Sequence, residues 1–486
     1  MSDNTVQPLR YISAFLRTGV ALILFMPLAV TLHAQVSGVQ FSEVDKIFEE
    51  WNRPDSPGCS IAIFKDGRII YSRGYGMANL DYSMPNTPNT VFRIGSTSKQ
   101  FTAASVLLLH EKGDISLDSD IRTYLPEMPQ YEWPVTVRHL VHHISGVRDY
   151  LTLQALAGVD DEANYSKESV LELLSRQKEL NFRPGDEYLY SNSGYFLLGM
   201  IVERVTGKTL AQFAKETIFD PLGMVNTHYH EDNSVIVESR AAGYSRSADG
   251  FRINDTINEI TGDGAVFTTV EDLCKWGREF YDHTLFGADF YNKLQETAVL
   301  SDGTKLNYAF GLNVGIYKGV KKVNHSGSFV GFRADMARFP DQHFSVVCLA
   351  NLSNTNPGSL INSVADLFLN DVLIEEDEPA ERRRSERSGD APPETVPELS
   401  IRQLDEYTGD YYSEELLVTY GVLRDDSILK VKLSNQPFSR ECSPVNEDIF
   451  RLAGTRIVFG RDSEGMIEGF TIQAGRVKNI YFNKIN

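Results

Sequence analysis

Ser96 and Lys99, in the segment FRIGSTSKQFTAASVLLLHEKG (residues 92–113), stand at the mouth of a run, Phe101 to Leu109, that is apolar almost all the way round. A helix apolar on every face is a buried helix, so two polar residues are placed where it enters the core. A serine hydroxyl is a weak nucleophile and needs a base beside it. Positions i and i+3 of a helix share a face, which brings Ser96 and Lys99 together. Burial lowers a lysine's pKa, because low dielectric disfavours the charged form, and a neutral amine can accept the serine proton. The helix N-terminus favours negative charge developing nearby. The chemistry this spacing predicts is hydrolysis through a serine nucleophile. The structural alternative is a helix cap at Ser96 with Lys99 exposed.

Ser-x-x-Lys occurs three times, at Ser96/Lys99, Ser175/Lys178 and Ser427/Lys430. The second pair lies in VLELLSRQKEL, among the charged residues of an ordinary amphipathic helix. The third lies in SILK, where a strand sends i and i+3 to opposite faces. Only the first joins helical geometry to an apolar setting.

Two further segments complete a pattern. FRPGDEYLYSNSGYFLLGMIVERVTGKTL (182–210) carries Tyr190-Ser191-Asn192 just before another apolar helix, and NHSGSFVGFRAD (324–335) carries His325-Ser326-Gly327 at a strand. With Ser96/Lys99, these resemble the Ser-x-x-Lys, Tyr-x-Asn and His-x-Gly motifs of the penicillin-recognising serine hydrolases, whose members include class C β-lactamases, D,D-peptidases, D-aminopeptidases and family VIII esterases. LVHHISGVRDY, FDPLGMVNTHY, GDGAVFTTVEDLCKW and YAFGLNVG also resemble the family, in order, over about residues 41 to 373. A second Tyr-x-Asn match, at Tyr481 to Asn483, is out of order.

The resemblance implies roles. Ser96 is the acyl-enzyme nucleophile, Lys99 its activator, and Tyr190 the general base and acid that shuttles the proton to the leaving group. A phenolate at neutral pH requires a close cation, which Lys99 supplies. Asn192 bonds Lys99 and a substrate carbonyl. The oxyanion hole uses the backbone N–H groups of Ser96 and Ser328, and Gly327 leaves room for substrate along the strand.

His325 stands where many β-lactamases and D,D-peptidases carry lysine. A histidine is mostly neutral at pH 7, which relaxes the demand for a substrate carboxylate. Amide or ester hydrolysis of D-amino-acid peptides or small acyl compounds is expected ahead of β-lactamase or D,D-carboxypeptidase action, with Arg333 as a replacement cation. A non-catalytic relative that binds cell-wall peptides is the alternative of another class. A buried lysine is costly to desolvate, so keeping the full set favours the enzyme. No metal and no cofactor is expected. His139, His142 and His143, and the pair His228 and His230, lack an acidic ligand at metalloprotease spacing, and GDGAV lacks the lysine and hydroxyl of a phosphate loop.

The elements that must position these residues follow from the hydrophobic pattern. GCSIAIFKDGRIIYSRGYG (58–76) is a β-hairpin about Asp66-Gly67. Residues 100 to 280 are mostly helical, and from 308 the chain is β again before a helix pattern in PGSLINSVADLFLNDVL. Strands at both ends predict an α/β fold: an antiparallel sheet flanked by helices, with a large helical insertion. The expected organisation is a signal peptide over 1–34, the hydrolase domain over 35–374, a charged Pro-rich linker over 375–400 and a C-terminal β-barrel over 401–486. Eight short β-type runs in the last segment predict a small up-and-down, lipocalin-like barrel. After such a linker the barrel is expected to be a separable unit, with strands covering the mouth of the cleft.

Composition sets the class. The 486 residues carry a formal charge of −19, with 42% hydrophobic and 23% charged residues. That is ordinary globular protein, without the basic face a nucleic-acid partner needs. The expected partner is a small-molecule or peptide substrate. Arg10 and Arg17 precede the apolar GVALILFMPLAVTLHA, shorter than the roughly 20 residues of a transmembrane helix. Cleavage after Ala34 and export to the periplasm or medium are expected, with membrane association only if the segment is retained. Cys59, Cys274, Cys348 and Cys442 form no CxxC pair; an exported protein could join two of them in a disulfide, but Cys59 and Cys348 lie in strand-like runs and read as buried free thiols.

Overall fold

The computed structural model describes residues 41–159, 165–374 and 399–485. The expected export segment and the charged stretch up to residue 398 lie outside the described residues. The sheet, the barrel and the helices that follow residue 47 all belong to one compact unit, Ile47–Asn486.

The first hairpin joins β1 (Cys59–Lys65) to β2 (Arg68–Tyr75). Asp66 and Gly67 both have positive φ, 48° and 78°. Two such residues suit the tight turn whose twist matches its flanking strands. The chain returns to this sheet only after a long insertion, as β3 (Asn313–Tyr317), β4 (Val320–Phe329), β5 (Phe332–Phe339) and β6 (Phe344–Ala350). The order is β3-β4-β5-β6-β1-β2, antiparallel throughout. The central strands β1 and β6 are buried along almost their whole length, which explains their unbroken apolar runs.

The insertion supplies the helices that matter to the site: α1 (Lys99–Lys112), α2 (Tyr150–Leu156), α3 (Asn192–Thr206) and α4 (Val270–Asp282). A later helix, α5 (Pro357–Phe368), packs with α4 on β6. Residues 99 to 109 of α1 are all buried, in keeping with a run apolar on every face, and α1 packs against α3.

The C-terminal strands β7 (Gly409–Ser413), β8 (Val418–Asp425), β9 (Ile428–Leu433), β10 (Ser439–Asn446), β11 (Ile449–Leu452), β12 (Thr455–Arg461), β13 (Ile467–Ala474) and β14 (Val477–Lys484) close into a barrel. Its interior is filled by aromatic rings: Tyr411, Tyr420, Phe459, Phe470 and Phe482 pack at centroid distances of 4.5 to 6.3 Å. A small barrel filled by its own side chains is a packed core.

More than a tether holds this barrel to the helical insertion. The Arg148 guanidinium donates to Glu415 Oε2 (2.5 Å), Gln177 Oε1 (3.1 Å) and the Asn479 carbonyl (2.9 Å). Lys178 N–H donates to the same Glu415 oxygen at 2.7 Å, and the Tyr420 hydroxyl to the Leu156 carbonyl at 2.6 Å. Asn181 clamps the last hairpin, donating to the Arg476 carbonyl and accepting from Lys478 N–H.

Candidate active site

Gly95 to Ser98 form a 3-10 turn that runs directly into α1. Three residues per turn eclipses i and i+3, so Ser96 and Lys99 lie one above the other. Gly95 has φ +49°, and a Cβ there would stand 2.9 Å from the Ser328 backbone nitrogen. Only glycine lets β4 and the nucleophile turn approach so closely. The same closure places the Thr97 hydroxyl on the His325 carbonyl at 3.1 Å.

Lys99 is fully buried. Its Nζ donates to Ser96 Oγ (3.2 Å), Asn192 Oδ1 (2.9 Å) and the Asp263 carbonyl (2.7 Å). Three acceptors satisfy an ammonium completely. After loss of one proton, two N–H groups still serve Asn192 and Asp263, and the lone pair faces Ser96. Burial pushes the Lys99 pKa down, the Asp263 and Asp149 charges hold it up in part, and Arg476 lowers it further.

Asn192 opens α3, and its N–H donates to Asp149 Oδ2 at 2.7 Å. Its side chain and its backbone are therefore both pinned. Tyr190 packs on His143 with centroids 4.1 Å apart and has Lys99 Nζ 4.9 Å from its ring centre. Its phenol oxygen is buried and completes no hydrogen bond among the described residues. Burial raises the phenol's pKa well into the alkaline range, although the nearby Ser96 hydroxyl and Arg476 act to lower it. The close cation that a phenolate requires is therefore present in Lys99, while burial works in the opposite direction.

In the third motif, His325 Nδ1 faces the Ser326 carbonyl at 2.6 Å, so Nδ1 carries the proton. Nε2 then accepts from the Tyr308 hydroxyl at 3.0 Å. Burial, reinforced by Lys99, pushes the imidazole down to about 3, leaving it neutral as its residue type implied. Two expectations for this strand are corrected. A Cβ on Gly327 would stand 1.9 Å from the Ile94 carbonyl and 2.9 Å from Thr97 Oγ1. The missing side chain therefore makes room for the nucleophile turn, not for substrate along the strand. Arg333 donates to the Val330 and Phe332 carbonyls at 2.8 and 2.6 Å and does not line the cavity.

Ser96, Tyr190, Asn192, His325 and Ser328 line one cavity of about 520 Å³, with Lys99 buried behind them. The structure thus gathers residues from three separate segments. The cavity's cations are Arg93 and Arg476, and its carboxylate is Asp263. Arg476 comes from the β13–β14 turn of the barrel and places its guanidinium carbon 4.8 Å from the Tyr190 ring centre. It had no local sequence signal. Asp263 lay in GDGAV, a segment with a family look, and Tyr308 in YAFGLNVG; neither was singled out.

The remaining candidates have structural places. Ser175 Oγ donates to the Glu172 carbonyl and Ser427 sits in a turn before β9. His139 completes a helix cap with Thr136. His143 Nδ1 accepts from Ser191 N–H at 3.1 Å, supporting the Tyr190 segment. His228 and His230 face each other at 3.3 Å, and the described residues contain no group of three or more metal-ligating side chains. All four cysteines are buried and free.

A family model described as Beta-lactamase matches residues 44–370. The chain is 32% identical over 304 residues to a D-aminopeptidase of Gluconobacter oxydans (strain 621H), a match covering 61% of this chain and 56% of that protein. It therefore spans little more than half the length of this curated relative. Among solved structures, the penicillin binding protein from Bacillus halodurans is 27% identical with a TM-score of 0.59, over 67% of this chain and 99% of that one. The octameric penicillin-binding protein homologue from Pyrococcus abyssi has a TM-score of 0.61 at 24% identity, over 92% of this chain and 99% of that one, a likeness of fold.

Proposed function

Because the chain belongs to the beta-lactamase family, we propose that it is an exported serine hydrolase acting through an acyl-enzyme on amide or ester bonds of D-aminoacyl compounds and short peptides. The observation that carries this reading is the contact of a fully buried Lys99 with Ser96 Oγ at 3.2 Å. The resemblance to a D-aminopeptidase supports the choice of acyl group.

In this reading neutral Lys99 takes the Ser96 proton as Oγ attacks the substrate carbonyl carbon. The oxyanion is received by the backbone N–H groups of Ser96 and Ser328, a reading supported by the close approach of β4 to the nucleophile turn at Gly95. Tyr190, held protonated, gives its proton to the leaving nitrogen or oxygen and regains one from Lys99. Water then attacks the ester along the same path in reverse. The neutral, internally bonded His325 favours this substrate class over β-lactams and D,D-carboxypeptidase substrates, which present a carboxylate at that strand.

The test is a substrate panel: D-aminoacyl p-nitroanilides, short acyl esters and a chromogenic cephalosporin. Turnover of the first two classes ahead of the cephalosporin is expected. Cephalosporin turnover ahead of both supports the β-lactamase reading, and none at all supports a binding protein. Export is tested by N-terminal sequencing of protein recovered outside the cytoplasm, with a start at Gln35 expected.

A further inference from the structure

Asp263 is the carboxylate that lines the cavity, and it is only 8% exposed. A buried carboxylate requires a counter-charge. Asp263 has few donors: the Tyr150 hydroxyl at 3.1 Å and its own backbone N–H. The cation beside it is Lys99, whose Nζ rests on the Asp263 carbonyl. The other acid near the site is already committed, because Asp149 accepts from Asn192 N–H at Oδ2 and from Thr152 N–H at Oδ1.

Lys99 cannot be both counter-ion and base. When it becomes neutral to accept the Ser96 proton, Asp263 is left as a buried anion facing the cavity. We infer that Asp263, oriented by Tyr150, is an ammonium subsite that takes the free α-amino group of an aminoacyl substrate. The inference rests on the hydrolase reading above and names the residue that selects its acyl group.

The placement fits the chemistry. The α-nitrogen of an aminoacyl compound is bonded to the carbon next to the carbonyl under attack, and reacting atoms sit about 3–3.5 Å apart. The α-nitrogen must therefore lie within a few ångströms of Ser96 Oγ. Asp263 and Ser96 line the same cavity, and Lys99 Nζ bridges that Oγ, at 3.2 Å, and the backbone carbonyl of Asp263, at 2.7 Å. A bound ammonium also repels a proton on Lys99, so filling the subsite drives the lysine to its neutral form. Substrate with a free amine thereby activates the base that cleaves it. The charged and titratable groups that set this balance are Lys99, Asp149, Tyr150, Arg93 and Arg476.

The experiment compares kcat/KM for D-alanine p-nitroanilide and propionyl p-nitroanilide, which share a leaving group and differ by the ammonium. Charge-assisted hydrogen bonds are worth enough for a preference of about 10- to 100-fold in the wild type. Asp263→Asn is expected to bring the ratio near one, and Asp263→Glu to restore part of it. Any general effect through Lys99 changes both substrates and cancels in the ratio. A wild-type ratio near one, or a preference unchanged in Asp263→Asn, overturns the subsite while leaving the hydrolase reading intact. Turnover that survives Ser96→Ala overturns the hydrolase reading instead. A second readout needs no turnover: D-alaninamide, but not propionamide, should protect wild-type Ser96 from a fluorophosphonate. Equal protection by the two amides counts against the subsite even if Asp263→Asn fails to fold.

Discussion

Replacing Glu415 by alanine tests whether the barrel is part of the hydrolase or an appendage to it. The side chains of Arg148 and Glu415 are 0% and 6% exposed. The substitution leaves the guanidinium with Gln177 and the Asn479 carbonyl, and takes an acceptor from Lys178 N–H. Breaking a buried pair by removing one partner costs about 3–5 kcal/mol. Ser193 and Asn192 extend the consequence to the site, because Ser193 Oγ bonds the Arg148 carbonyl and Asn192 N–H bonds the adjacent Asp149. The assay is urea denaturation followed by tryptophan fluorescence. Trp51, Trp133 and Trp276 all lie outside the barrel, so this signal reports the hydrolase domain. Glu415→Ala should destabilise it by about 3–5 kcal/mol. The double variant Glu415→Ala/Arg148→Met, which leaves no buried charge unpaired, should recover at least about 1 kcal/mol of that loss. Losses that simply add in the double variant, or a fluorescence transition unmoved by Glu415→Ala, refute the reasoning.

Acylation should rise with pH as Lys99 loses its proton, with a midpoint below the free lysine value. Arg476→Gln removes a cation that lowers the lysine's pKa, so its acid limb should move to higher pH; stopped-flow pH profiles check the sign. Gly327→Ala should cost about 1–3 kcal/mol or more and slow labelling of Ser96, since the added carbon meets the Ile94 carbonyl at 1.9 Å; urea melts and labelling rates measure both. His325→Lys puts a cation where the neutral ring now lies, and should shift the cephalosporin-to-anilide ratio upward; an unchanged ratio means the third motif does not set substrate charge.

Ser96, Lys99, Tyr190, Asn192 and His325 were legible because local pattern and segment order specify them: polar residues at the mouths of apolar helices and at a strand. The sheet and barrel were legible for the same reason, as alternating or continuous apolar runs between turn residues. Gly327 was misread because its neighbour is the Ile94 carbonyl, and no local pattern reveals what a missing side chain makes room for. Arg333 was named for its proximity in sequence to His325, yet one of the cations in the cavity, Arg476, arrives from a turn about 150 residues downstream. For Tyr190 the spacing identifies the nearby cation but not the burial that pushes the phenol's pKa up. Asp263 lay in a familiar-looking segment, and its place in the cavity, with the Tyr150 hydroxyl as its side-chain donor, exists only in the folded site.

The central claim is that Ser96 is a nucleophile activated by Lys99. Its most direct test is incubation of the full chain with a fluorophosphonate, followed by intact mass and peptide mapping. One adduct, mapped to Ser96, is predicted, with labelling lost in Ser96→Ala, slowed at least about 100-fold in Lys99→Ala, and retained in Ser175→Ala and Ser427→Ala. An adduct on any other serine, or labelling that persists in Ser96→Ala, would contradict the account.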